Sequence, residues 1–203
     1  GLGHISRALV IAEILKDKFD IVFTTFNPPP LIEKKLIREG LQVCVLENPL
    51  SLDIADNGDI IVLDGYDFNS EYQKEIKNRG CTLVCIDDLA TGHFFADAVI
   101  NHALDVVPGI YSRESYTSLY LGPAYALLRK PFLEAAMMRN SKKTTRGNVF
   151  VSMGGSDMHN VSLKALKALA LVDDIKKIEL VIGAVNPNKV SLTSYINSEK
   201  CIP

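Results

Sequence analysis

The chemistry of this chain is written first at its amino end, where a histidine follows Gly1-Leu2-Gly3 and precedes Ile5-Ser6-Arg7. Apolar Ile5, Ala8, Leu9, Ala12 and Leu15 then recur at helical spacing, so the stretch reads as a glycine-rich turn entering an amphipathic helix. The first N–H groups of a helix have no partners inside it, and they form the positive end of its dipole. Such a turn suits an anion or a polar sugar, and glycines let backbone come close to it. His4, as a neutral imidazole on that turn, can take a proton from water or from a hydroxyl. The plainer alternative is that His4 only packs in the loop or caps the helix. The dinucleotide fingerprint is incomplete here, with no third glycine, and no G-K-[ST] marks a Walker loop.

A second glycine turn, Gly154-Gly155-Ser156-Asp157 with Asn160 close behind, lies between a strand-like run and a helical one. Its backbone N–H groups suit phosphate oxygens. Between the two turns, polar residues collect after apolar runs: Asp64-Gly65-Tyr66-Asp67, Asp87-Asp88 and Asn101-His102. In a parallel sheet these positions fall in loops at the carboxyl ends of strands, where such folds bind ligands. Taken singly, each also reads as a turn, a cap or a surface residue.

These side chains need strands and helices to hold them, and the sequence supplies an alternation of the two. Strands are expected at Asp20–Thr25, Leu41–Glu47, Asp59–Asp64, Cys81–Ile86, Asp97–Ile100 and Ser118–Gly122. Helices are expected after Pro28–Pro30 up to Gly40, from Ser70 to Arg79, and from Pro131 to Arg139. The run Asp59–Asp64 is so continuously apolar that both faces are expected to be covered, as in a parallel sheet. A polar, basic segment, 141–147, reads as a linker between domains spanning 1–140 and 148–203. Beyond it, strand, glycine turn, helix Asn160–Leu171 and strand Ile178–Ile182 begin a second Rossmann-like unit. The turn at Gly1–His4 lacks a strand to feed it, and the second unit stops after two strands. The reading therefore expects a first strand and much of the second domain to be absent from this chain.

Composition narrows the classes. Among 203 residues, 47% are hydrophobic and the formal net charge is −2, which fits a domain with a substantial core. Lys142, Lys143 and Arg146 are the nearest thing to a basic patch, so nucleic acid is not an expected partner. No apolar run is long enough to span a bilayer and no signal-peptide pattern is visible, so the chain reads as cytoplasmic. Cys44, Cys81, Cys85 and Cys201 include no C-x-x-C pair, and free thiols are expected rather than disulfides or zinc. Asn160-Val161-Ser162 matches a glycosylation sequon but reads as a helix cap.

Six stretches together carry a resemblance: G-x-G-H-I-x-R-x-L, Asp64-Gly65-Tyr66, Ile86-Asp87-Asp88, Asn101, Gly122-x-x-Tyr125-Ala126-Leu127-x-Arg129, and Met153-Gly154-Gly155-Ser156-Asp157-x-x-Asn160. In this order they resemble the UDP-sugar hydrolases of pseudaminic acid biosynthesis and the related proteins of spore-coat polysaccharide synthesis. The resemblance implies an α/β fold of GT-B type with two Rossmann-like domains. It implies release of UDP from a UDP-linked diacetamido-trideoxy sugar by water, with inversion at the anomeric carbon and without a metal or other cofactor. His4 would then be the catalytic base, with Asp64 and Tyr66 positioning sugar or water. Gly3, Arg7, Asp88, Asn101, Gly154, Gly155, Ser156, Asp157 and Asn160 would contact the substrate. The alternatives are a GT-B glycosyltransferase, in which His4 activates an acceptor hydroxyl, and a nucleotide-sugar-binding protein without catalysis. A nicotinamide enzyme ranks last, since neither glycine turn completes the fingerprint.

Overall fold

The computed structural model describes residues 2–138 and 146–198, and the chain divides into two units after Ala136. Gly1, most of the segment expected to be a linker, and Cys201 lie outside the described residues. The architecture is α/β, with parallel sheets and six α-helices among the described residues, compatible with a Rossmann-like fold.

The first unit opens with α1 (Leu2–Leu15), β1 (Val22–Phe26), α2 (Pro30–Arg38) and β2 (Gln42–Leu46). Proline at the start of α2 has its missing N–H where no helical partner exists, and Gly40 ends the segment at φ 77°. β1 and β2 pair in parallel, Val22 opposite Gln42, as a sheet of their own. Next come β3 (Ile60–Asp64), α3 (Ser70–Asn78), β4 (Thr82–Ile86), β5 (His93–Phe94), β6 (Ala98–Asn101), β7 (Ser112–Arg113), β8 (Ser118–Leu121) and α4 (Lys130–Met137). A four-stranded parallel sheet runs in the order β3-β4-β6-β8, while β5 and β7 form a short parallel pair. Asn69 caps α3 by accepting from the Tyr72 N–H at 3.0 Å.

Register decides where chemistry can gather. Asp64 lies opposite Ile86, so β3 and β4 finish level and the loops bearing Tyr66 and Asp88 leave from one edge. Below that edge, Leu63, Ile76, Leu83, Cys85, Phe94, Val99 and Tyr111 form the core against α3. Complete burial of a side chain such as Leu83 contributes about 1.5–3 kcal/mol.

Two expectations change. The first turn of α1 already includes Gly3 and His4, so the histidine stands inside the helix rather than on a turn ahead of it. β3 is also not covered on both sides: Ile61 and Leu63 meet the core, whereas Ile60 and Val62 are exposed. Alternation places Asp64 on the same side as Ile60 and Val62, where α1 covers the carboxylate alone.

The second unit contains β9 (Asn148–Ser152), α5 (Val161–Leu169), β10 (Lys177–Val181) and α6 (Lys189–Ser198). β9 and β10 pair in parallel with Asn148 opposite Lys177. Leu166 of α5 is buried, and Ala170 is exposed beyond the end of that helix. α6 is a helix the sequence reading did not expect, and Leu192 anchors it with no exposed surface. Among the described residues, no helix is long and apolar enough to cross a membrane.

Candidate functional site

The start of α1 and the ends of β3 and β4 bring five of the sequence-selected residues together. Asp64, the last residue of β3, has a side chain only 6% exposed and turns it to α1. There Arg7 grips it twice, Nη2 donating to Oδ1 at 2.6 Å and Nε to Oδ2 at 3.0 Å. Such a two-pronged pair fixes orientation as well as charge. His4, three residues before Arg7 and so on the same helical face, brings Nδ1 to 2.5 Å from Asp64 Oδ1.

The tautomer is set by what the neighbours can do. A carboxylate only accepts, so a contact this short requires the proton on Nδ1. Arg7 Nη2 also lies 2.9 Å from Nδ1, but a guanidinium only donates, and Nδ1 cannot accept while donating to Asp64. We therefore read both groups as converging on one carboxylate oxygen. In the neutral imidazole this puts the lone pair on Nε2, which has no hydrogen-bond partner among the described residues.

Tyr66 and Asp88 complete the cluster from the two loops. The Tyr66 ring meets the His4 ring edge-on, centroids 5.1 Å apart, and its hydroxyl donates to Asp88 Oδ2 at 3.0 Å. Asp88 Oδ2 also lies 3.8 Å from Arg7 Nη1. Burial would lower the Arg7 pKa, but the Asp64 hydrogen bonds and the charges of Asp64 and Asp88 outweigh it and raise it. The exposed Tyr66 phenol is raised chiefly by its hydrogen bond to Asp88. Gly3 is exposed in the first turn of α1, where a Cβ would meet nothing within 4 Å.

Asn101 ends β6 one step behind this cluster, buried, with its amide donating to Tyr111 Oη at 2.8 Å and its carbonyl oxygen accepting from the Ala103 N–H. His102, its neighbour, is half-buried, and its Nδ1 has no partner among the described residues. A small cavity of about 50 Å³ opens beside Gly65, Tyr66, Phe68, Gln73, Asp87 and Phe94. Asp87 and Tyr111 are the participants that sequence reasoning missed. Asp87 was legible only as the partner of Asp88 in a polar loop, and Tyr111 carried no local signal.

In the second unit, Gly154, Gly155 and Ser156 form the turn between β9 and α5, with Gly154 at φ 76°. The expected cap is displaced. Asn160 holds the cap position in a left-handed conformation, makes no capping hydrogen bond, and its Oδ1 has no partner among the described residues. Asp157 does the capping instead, Oδ1 accepting from the Val161 N–H at 2.7 Å and Oδ2 from the Ser162 N–H at 3.0 Å. Hydrogen bonds from Ser162, then Val161, hold its pKa below the usual carboxylate value.

Of the cysteines, Cys81 and Cys85 are buried and Cys44 half-buried, all as free thiols, and burial pushes Cys85 up to about 12. Among the described residues, no group of three or more His, Cys, Asp or Glu side chains is placed to hold a metal ion.

No family model matches the chain. It is 28% identical over 195 residues to an uncharacterised protein of Methanocaldococcus jannaschii, covering 90% of this chain and 40% of that protein. It is 27% identical over 209 residues to the spore coat polysaccharide biosynthesis protein SpsG of Bacillus subtilis, covering 98% of this chain and 60% of that one. At 27% identity over 209 residues it is also similar to the UDP-2,4-diacetamido-2,4,6-trideoxy-beta-L-altropyranose hydrolase of Campylobacter jejuni, covering 96% of this chain and 69% of the hydrolase. The chain thus spans 40% and 60% of the length of the first two of these relatives.

Proposed function

We propose that this chain belongs to an enzyme of sugar or polysaccharide biosynthesis that hydrolyses a nucleotide sugar, with His4 as the general base. The observation that carries the reading is the His4–Asp64 contact of 2.5 Å, which fixes the proton on Nδ1 and leaves Nε2 able to accept one. In the step proposed, Nε2 takes a proton from water as the water oxygen bonds to the anomeric carbon. The bond from that carbon to the diphosphate oxygen breaks, and the nucleoside diphosphate leaves with its electron pair. Water attacking opposite the leaving group inverts the anomeric carbon. Arg7 orients the Asp64 carboxylate, and Asp64 holds the imidazole in place and stabilises it once it is protonated, the role a carboxylate plays behind a catalytic histidine. On this reading Tyr66, whose ring meets the imidazole edge-on, and its partner Asp88 would orient water or a sugar hydroxyl.

The similarity to a UDP-sugar hydrolase and to a polysaccharide biosynthesis protein supports UDP as the nucleotide and a diacetamido-trideoxy sugar as the group released. On the same reading, the two units are Rossmann-like halves of a GT-B-type enzyme. The backbone N–H groups of Gly154, Gly155 and Ser156 would carry charge on the leaving diphosphate, with Asp157 and Asn160 shaping that turn.

The test incubates the full-length protein with UDP-2,4-diacetamido-2,4,6-trideoxy-β-L-altropyranose and no acceptor, following the anomeric proton and free UDP by NMR. Free sugar of inverted configuration is expected, with turnover lost in His4→Ala while UDP binding persists. Full turnover by His4→Ala would remove the base from the mechanism, and an untouched donor would remove this substrate.

A further inference from the structure

Asp88, which accepts a hydrogen bond from the Tyr66 hydroxyl, stands on a turn whose geometry is set from below. That turn follows β4, and Asp87 folds it, Oδ1 accepting from the Leu89 N–H at 3.3 Å and Oδ2 from the Ala90 N–H at 2.8 Å. Ala90 is held at φ 54°, a conformation most residues avoid, so the turn needs outside support. Support comes from Tyr111, whose hydroxyl donates to Asp87 Oδ2 at 2.8 Å and accepts from Asn101 Nδ2 at 2.8 Å. Asn101 Nδ2 lies 3.5 Å from the same carboxylate oxygen. Tyr111 is itself fixed, buried in the core with its ring edge-on to Phe94 at 5.5 Å.

We infer that Tyr111 is a positioning residue: its hydroxyl anchors the Asp87 turn so that Asp88 meets Tyr66 and Arg7 beside His4. Three features support this. The residue is in the core while its one polar atom faces the site loop. Asn101 is a buried polar group that is costly to leave unpaired, and Tyr111 pairs with its amide while giving the half-buried Asp87 carboxylate a donor from outside its own turn. Asp88, next in sequence to Asp87, receives the Tyr66 hydroxyl and approaches Arg7. Burial, followed by Asp87 as hydrogen-bond acceptor and nearby charge, raises the Tyr111 pKa against the opposing effect of Asn101, so the phenol keeps its donor proton at neutral pH. For catalysis the inference rests on the nucleotide-sugar reading above; for the geometry of the turn it stands without it.

The decisive variant is Tyr111→Phe, which keeps the ring and removes the anchor. With tyrosine ring carbons labelled, the titration of Tyr66 is followed by NMR in the otherwise intact protein. Release of Asp88 from its place should move the Tyr66 phenol down toward the ordinary tyrosine value. On the nucleotide sugar, kcat should fall about 10- to 100-fold, since small displacements of positioned groups have large effects, with KM changed less than about threefold. Phe94→Leu controls for loosened packing: it disturbs the Tyr111 ring contact but leaves the hydroxyl, and Tyr66 should titrate as in the unaltered protein. An unmoved Tyr66 titration in Tyr111→Phe, or an equal shift in Phe94→Leu, overturns the inference. Because the titration needs no substrate, it reads the anchor even if the hydrolase reading fails.

Discussion

Replacing Asp64 with asparagine removes one charge and hardly any volume, yet it leaves the donors around that side chain in conflict. Asp64 accepts from His4 Nδ1 at 2.5 Å, from Arg7 Nη2 at 2.6 Å and from Arg7 Nε at 3.0 Å. An amide offers one oxygen and one NH2 group, so whichever way it turns, a donor faces a donor. Hydrogen bonds to a charged group contribute about 1.5–3 kcal/mol, and removing one member of a buried pair costs about 3–5 kcal/mol. Arg7 retains 18% side-chain exposure and an Asp88 oxygen at 3.8 Å, both of which soften the loss. A destabilisation of about 2–3 kcal/mol is therefore expected, lowering Tm by about 4–12 °C in a chain of this size. The chemical effect is larger. Without a carboxylate to hold the proton on Nδ1, His4 can accept there and carry its proton on Nε2, where a base is needed. Turnover should fall by about 10²–10⁴, the usual contribution of a positioned acid–base group. Circular dichroism melting and the NMR turnover assay measure the two effects on the same sample. A variant that melts like the unaltered protein and turns over within about threefold of it would refute the tautomer argument.

The second unit offers two further tests. Asp157, with its pKa lowered by Ser162 and Val161, contributes stability that is complete above the unfolded carboxylate value of about 3.9 and is lost as pH falls through the folded value. The urea midpoint of Asp157→Asn should lie below that of the unaltered protein at pH 7, and the gap should close toward pH 3; a gap constant with pH would count against the cap. Gly183 packs its backbone on the Gly154 turn so closely that an added Cβ would lie 2.1 Å from the Gly155 carbonyl oxygen. Gly183→Ala should cost at least about 1–3 kcal/mol in urea unfolding, as overpacking does, whereas Gly109→Ala, with nothing within 4 Å, should stay within about 0.5 kcal/mol; equal effects would dismiss the contact.

What could be read in advance divides along a physical line. Elements marked by proline, glycine and continuous apolar runs, such as α2 between Pro30 and Gly40 or β3 and β4, were legible because their signals are local. The grouping of His4, Arg7, Asp64, Tyr66 and Asp88 was half-legible: a parallel sheet puts loop residues on one rim, but no spacing says that Arg7 and His4 will share one carboxylate oxygen. α6 was missed because Ser191, Thr193, Ser194 and Asn197 weaken helical propensity, and the burial of Leu192 that holds it is a tertiary fact. Asn160 looked like a cap because its type suits one, yet its backbone turns left-handed and Asp157, three residues earlier, reaches both N–H groups. Tyr111 is the limiting case. It stands 24 residues from Asp87 in sequence and joins it only because β6, the end of the sheet and the strand pair β5–β7 fold the intervening chain back. The side chains proposed for chemistry here were visible by type, whereas those that hold them in place become visible only where buried polar groups must find partners.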